Sequence, residues 1–232
     1  MTLPFPRLLL LPAMGALVAA SMMSAGPAAA GQGFGPHNTW GGPHTNASNW
    51  GGYAASGSSG EYTTIKGSWT EPVTKCLKDG DLAAPWLGLD GYGDETVEQT
   101  GVQVACSTGS PEYSGWYEMY PANPVYFSNP VSAGDKISAS VTSKGDAYTL
   151  VLKDVTKGWT HTVKKTLASG EDASAEAVVE APGGYPSWPD GVKFTGITVN
   201  GHLFDTYSPT KLDSGGYVPG PLSGGTFTIK KG

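Results

Sequence analysis

The chain carries 20 acidic residues and four histidines. The acidic residues best placed for chemistry gather in aromatic-rich segments. These are Trp86-Leu87-Gly88-Leu89-Asp90-Gly91 with the following Glu98-Gln99-Thr100-Gly101, then Trp116-Tyr117-Glu118-Met119-Tyr120-Pro121, then Ala175-Glu176-Ala177-Val178-Val179-Glu180. Aromatic surfaces desolvate a carboxylate and raise its pKa toward the range where it can take and return a proton. Other routes to hydrolysis are poorly supplied. No Gly-x-Ser-x-Gly elbow exists for a serine nucleophile. His161 lies in a lysine-flanked polar run and His202 follows an Asn200-Gly201 turn, so both read as surface residues. The histidines form no pair at metal-ligand spacing and neither Cys76 nor Cys106 has a His or Cys at such spacing, so no metal and no cofactor is assigned.

Paired carboxyl chemistry needs a rigid surface to hold it. Beyond Asn49 the sequence breaks into short apolar or alternating runs, separated by Gly, Pro, Asn and Asp clusters at spacings of about 8–12 residues, which predicts an all-β sandwich. Ile137, Ala139 and Val141 alternate before Lys144-Gly145-Asp146, and Tyr148, Leu150 and Leu152 alternate after it, predicting a hairpin with one buried face. Further strands are expected around 62–70, 84–90, 96–105, 112–120, 159–167, 174–180, 192–199 and 225–230, with 204–224 as loop. In such strands Glu98 and Gln99 face opposite sides, whereas Glu176 and Glu180 share a face.

The remaining composition sets the context. Among 232 residues there are 34 Gly and 18 Pro, a turn-rich balance, but seven Trp, eleven Tyr and six Phe supply the core that a disordered chain lacks. Residues 1–30 have the build of a secretory signal peptide, with Arg7 before a leucine run and small residues at Ala28 and Ala30. Residues 31–48 read as a flexible lead-in and 49–232 as a single domain. Export as a soluble monomer with no membrane association is therefore expected, and in that setting Cys76 and Cys106 are expected to form one disulfide. The formal charge of −6 and the lack of clustered cations exclude nucleic acid as a partner. Few basic groups also limit self-repulsion in acid, which permits acid stability.

Five segments, Asn49-Trp50-Gly51-Gly52-Tyr53 together with those around Trp86, Gln99, Glu118 and Glu176, resemble the glutamic peptidases, or eqolisins, in order and spacing. The resemblance covers roughly 49–200. It implies a two-sheet antiparallel β-sandwich of the jelly-roll or concanavalin-like kind, and a secreted, pepstatin-insensitive acid endopeptidase acting on polypeptides. Carried over residue by residue, it places Gln99 and Glu176 as the catalytic dyad. Trp50 and Trp86 would line the cleft, Asp90 would support the dyad by hydrogen bonding, and Glu118 would stand nearby as a further carboxylate.

Ordinary acyl-transfer chemistry then assigns Glu176 as general base on a water and Gln99 as holder of that water and donor to the oxyanion. Gln103 stands where the family usually has a carboxylate, which would alter the pH optimum. Ala177 stands where an aromatic is common, which would open the pocket beside Glu176 or loosen its orientation. Two other readings remain open on the residues alone: a glycoside hydrolase using Glu118 and Glu176, and a non-catalytic module binding carbohydrate or peptide through Trp50 and Trp86.

Overall fold

The structure is a computed structural model that describes Met1 and residues 49–214 and 216–232. The expected signal peptide and the lead-in at 31–48 lie outside the described residues. Period-two burial organises the rest. The expected hairpin forms as β7 (Lys136–Lys144) and β8 (Ala147–Asp154), with Ile137, Ala139, Val141, Tyr148, Leu150 and Leu152 all buried. Around it lie β1 (Trp50–Ser56), β2 (Thr64–Thr70), β3 (Leu82–Leu89), β4 (Val97–Ser107), β5 (Ser110–Tyr120), β6 (Val125–Pro130) and β9 (Trp159–Thr166). The later strands are β10 (Ser174–Gly184), β11 (Val192–Val199), β12 (His202–Leu203), β13 (Thr210–Leu212), β14 (Tyr217–Pro219) and β15 (Phe227–Lys231).

These strands make two antiparallel sheets. The front sheet runs β13-β1-β10-β3-β4-β5-β6, and the back sheet runs β14-β15-β11-β2-β7-β8-β9 with β12 added on β11. One face of each sheet meets the other in a core that includes Tyr53, Ile65, Trp69, Leu87, Leu89, Val102, Val104, Val179 and Phe194. A second apolar cluster, containing Trp50, Trp86, Trp116 and Val178, forms on the outward side of the front sheet. The two-sheet all-β sandwich expected from the sequence is therefore present.

Three local expectations change. The segment 204–224 is not plain loop: it holds a 3-10 turn at Phe204–Tyr207 followed by β13 and β14. Its buried anchors Phe204, Leu212 and Tyr217 are too widely spaced to show alternation. β1, not anticipated from periodicity, sits between β13 and β10 and is buried on both faces from Trp50 to Ala55, so it carries no polar-outward signature. β6 is a short, half-exposed edge strand at the other end of the front sheet. The disulfide joins Cys76 to Cys106, tying the end of β4 to the loop before β3.

Candidate active site

Strand register brings the sequence-selected residues together. On the outward face of the front sheet, Ala54 of β1 pairs with Glu176 of β10, Glu176 with Gly88 of β3, Gly88 with Gln99 of β4, and Gln99 with Glu118 of β5. Glu176, Gln99 and Glu118 thus lie in one row across the sheet. The next row holds Gly52, Val178, Trp86, Gly101 and Trp116, and the one after it pairs Trp50 with Glu180 and Glu180 with Ala84.

Gly88 matters because adjacent strands are only about 4.8 Å apart. Glu176 and Gln99 belong to strands on either side of β3, and a side chain between them would fill the space across which they face each other. A Cβ at Gly88 would lie 2.8 Å from Cζ3 of Trp86 and 3.2 Å from Cβ of Gln99. Glycine therefore keeps the floor of the site open while Trp86 covers one side of it. Trp86 in turn meets Trp50 edge-to-face, with ring centroids 4.9 Å apart. This is a favourable geometry for aromatic pairs.

The carboxyl groups on this face are all pushed upward. Glu176 is fully buried, and burial, then the charges of Asp94, Asp90 and Glu98, hold it well above the ordinary carboxylate range, with the Ser174 hydroxyl working the other way. Neither of its oxygens is in hydrogen-bonding geometry with a described residue. Gln99 donates from Nε2 to Oε2 of Glu118 at 2.7 Å. Burial, and next the charge of Glu180, raise Glu118 to about 9 despite that bond. Burial raises Glu180 to about 8, while the Trp50 and Trp86 indoles and Asn49 pull it back. The Asn49 contact is a 3.2 Å bond from Nδ2 to Oε1 of Glu180.

Asp90 lies off the Glu176–Gly88–Gln99 row and holds the turn before β10 instead. It sits at the end of β3 with φ 63°, a left-handed conformation that Asp tolerates better than most residues. Its carboxylate accepts the backbone N–H groups of Glu171 and Asp172 at 2.9 Å and of Ala173 at 2.7 Å. It thereby fixes the turn that leads into β10 and Glu176. Glu98, next to Gln99, points the opposite way, and burial together with Asp90 raises it to about 10.

The two departures from the family pattern fall in different places. Gln103 lies on the same face as Gln99, where its Oε1 accepts the Tyr126 hydroxyl. Ala177 does not open the pocket beside Glu176. It belongs to the core between the sheets, opposite Tyr53 and Leu87, because consecutive strand residues point to opposite faces. Sequence reasoning also passed over Glu180 and Gly88 as site residues; the signal for Glu180 was its i+4 spacing from Glu176. Among the described residues no cluster of three or more His, Cys, Asp or Glu side chains could hold a metal ion. Nor is any helix there long and apolar enough to cross a membrane.

The model of the peptidase A4 family matches residues 48–210. This chain belongs to the peptidase A4 family. The peptidase is similar in structure to scytalido-glutamic peptidase bound to a transition-state analogue inhibitor, with a TM-score of 0.70 at 24% identity over 80% of this chain and 98% of that one. It is also similar to SCP-B, a member of the eqolisin family in complex with the tripeptide Ala-Ile-His, with a TM-score of 0.61 at 22% identity over 80% and 98% of the two chains. For aspergilloglutamic peptidase from Aspergillus niger the TM-score is 0.52 at 24% identity over 65% and 99%. At these identities the likenesses establish the shared sandwich. No curated protein sequence matches the peptidase. Its last residues, 211–232, extend past the family match and complete β13, β14 and β15.

Proposed function

We propose that the peptidase hydrolyses polypeptides with Glu176 as general base and Gln99 as water holder and oxyanion donor, and that it works as a secreted, pepstatin-insensitive endopeptidase. The observation that carries this reading is the row Glu176–Gly88–Gln99–Glu118, with glycine at the position between the two reacting side chains. Family membership takes the weight from the glycosidase and binding-module readings. In the proposed reaction Glu176 removes a proton from water as the water oxygen bonds to the scissile carbonyl carbon. The carbonyl oxygen becomes an oxyanion facing the Gln99 amide. Collapse reforms the carbonyl and breaks the C–N bond as Glu176 returns the proton to the leaving nitrogen.

Glu118 gives Gln99 its orientation. Gln99 donates from Nε2 to Glu118, and in the proposed reaction its amide serves both the water and the oxyanion, as a neutral amide can at any pH. The raised pKa of Glu176 sets the acid limb of the profile. A base must be ionised, and below its pKa the ionised fraction falls about tenfold per pH unit. Acid activity therefore requires bound substrate and the Gln99 dipole to lower that pKa in the complex. The acid limb of kcat, which reports the complex, is expected at lower pH than that of kcat/KM, which reports the free enzyme.

The test is peptide release from denatured casein or haemoglobin across about pH 2–7, with pepstatin present, comparing wild type with Glu176→Gln and Gln99→Ala. Pepstatin-resistant cleavage lost in both variants supports the dyad. Cleavage that survives either substitution assigns the chemistry to other residues.

A further inference from the structure

The back sheet turns its second face to solvent, and its composition differs from that of the front sheet's outward face. The outward positions of β2, β7, β8, β9 and β11 are Lys, Ser or Thr, apart from Ala147, Val151 and a glycine at the β11 irregularity. Lys66, Lys136, Lys144, Lys153, Lys164 and Lys193 are all exposed there. No Asp or Glu shares these positions, although the chain as a whole carries a formal charge of −6. None of the six lysines makes an ion pair among the described residues; Lys157, paired with Asp135, lies in the loop after β8. Cross-strand rows such as Thr198–Lys66–Ser140–Val151–Thr162 and Thr64–Thr142–Thr149–Lys164 run side by side. Five strands at this spacing give a hydroxyl and ammonium surface about 20 Å wide and about 25–30 Å long.

We propose that this face binds a linear polysaccharide bearing carboxylate groups, and holds the peptidase on such a polymer with its catalytic face turned outward. Dispersed lysines meet charges that recur along a chain, and the serine and threonine hydroxyls between them donate to and accept from sugar hydroxyls. Other polyanions fit less well. Single-stranded nucleic acid is held by stacking on aromatic side chains, and these outward positions contain none. Phosphate is recognised best by the guanidinium fork, and Arg7 is the only arginine in the chain. A bilayer surface is entered by apolar or aromatic anchors, and the largest apolar side chain here is the half-buried Val151. Because the overall charge is negative, attraction to a polyanion acts only in this orientation. The front sheet, with Gln99 and Glu176 on its far side, then faces away from the polymer. The proposal does not depend on the roles assigned to those two residues.

Affinity electrophoresis of the purified peptidase in gels containing polygalacturonate provides the test, with dextran gels as the neutral control. Retardation by polygalacturonate alone is expected at about 20 mM salt. It should be abolished near 0.5 M, where the screening length falls to a few ångströms. Lys66→Glu/Lys153→Glu/Lys164→Glu should weaken the apparent affinity on the order of 100-fold, at about 1 kcal/mol per lysine near an anionic surface, with casein cleavage unchanged. If that variant folds poorly, the corresponding triple Lys→Gln variant gives the same reading with a smaller loss. No retardation at low salt overturns the proposal. So does retardation that survives the substitutions, or binding of equal strength to phosphatidylserine vesicles or duplex DNA.

Discussion

Two groups of buried acids in this molecule each include carboxyls that burial pushes above the ordinary range, and they differ in how those acids are held. On the front sheet Glu176, Glu118 and Glu180 crowd one face beside Gln99. Beneath the hairpin of the back sheet, Glu71, Asp135 and Asp154 form the second group, with burial raising Glu71 to about 8. There each acid is tied down. Glu71 accepts the Trp69 indole N–H at 2.9 Å, and its backbone is bonded to Asp135 and Gly134. Asp135 takes the Ser132 N–H at 2.6 Å and the Lys157 ammonium at 2.8 Å, and Asp154 takes the Lys157 N–H at 2.8 Å. Glu176, by contrast, has no backbone N–H or ammonium holding it among the described residues, and only the Ser174 hydroxyl bears on it as a donor. A shifted carboxyl is therefore not a mark of catalysis by itself. What sets Glu176 apart is its place across a glycine from the amide of Gln99, with no network of backbone donors fixing it.

Substitutions can break this contrast if it is wrong. Glu176→Gln should lower kcat for peptide cleavage on the order of 10⁴-fold while leaving the melting temperature at or above that of wild type; a large loss of stability with residual cleavage would move Glu176 into the structural group. Gln99→Ala removes an oxyanion donor and should cost about 10²–10³ in kcat, measured in the same assay. Glu118→Leu deprives Gln99 of its orienting acceptor and should cost about tenfold, whereas Glu118→Gln, which keeps a carbonyl oxygen there, should cost at most about threefold.

The smallest effect on turnover is expected from Glu71→Gln, which should leave cleavage unchanged. Its signature lies in stability against pH. The folded value of about 8 exceeds the ordinary 4.5, so the folded chain keeps a proton that the unfolded chain has released. That contribution is complete below about pH 4.5 and is lost as pH rises through about 8. The melting temperature of wild type should therefore fall over this interval, and Glu71→Gln should flatten part of the fall. Glu118 and Glu180, also raised, act in the same direction and account for slope that remains.

The sequence made much of this legible where the chemistry and the alternation coincided. The aromatic-flanked segments around Gln99, Glu118 and Glu176 fell on strands of one sheet, and the i+4 relation of Glu176 and Glu180 survived as a shared face. Pairing partners were not legible, because register is a property of two segments and not of one. That is why Gly88, an unremarked residue in its own segment, became important only when β3 was seen to separate β10 from β4. Ala177 illustrates the opposite error: adjacency in sequence to Glu176 suggested adjacency in the pocket, and the pleat sends it into the core. The backbone partners of Asp90 at 171–173 lie about 80 residues away and leave no local trace in its own segment.

The central place of β10 also bears on when the peptidase becomes competent. β10 inserts between β1 and β3, and the bond from Asn49 to Glu180 spans 131 residues of chain. Pairings of such long range close late, after the entropy of the intervening loop has been overcome. A growing chain on the ribosome holds Gln99 well before it holds Glu176, so no cleft with both groups can exist until most of the sandwich has emerged. On the proposed dyad of Gln99 and Glu176, topology alone would keep the nascent peptidase inert toward its neighbours during synthesis.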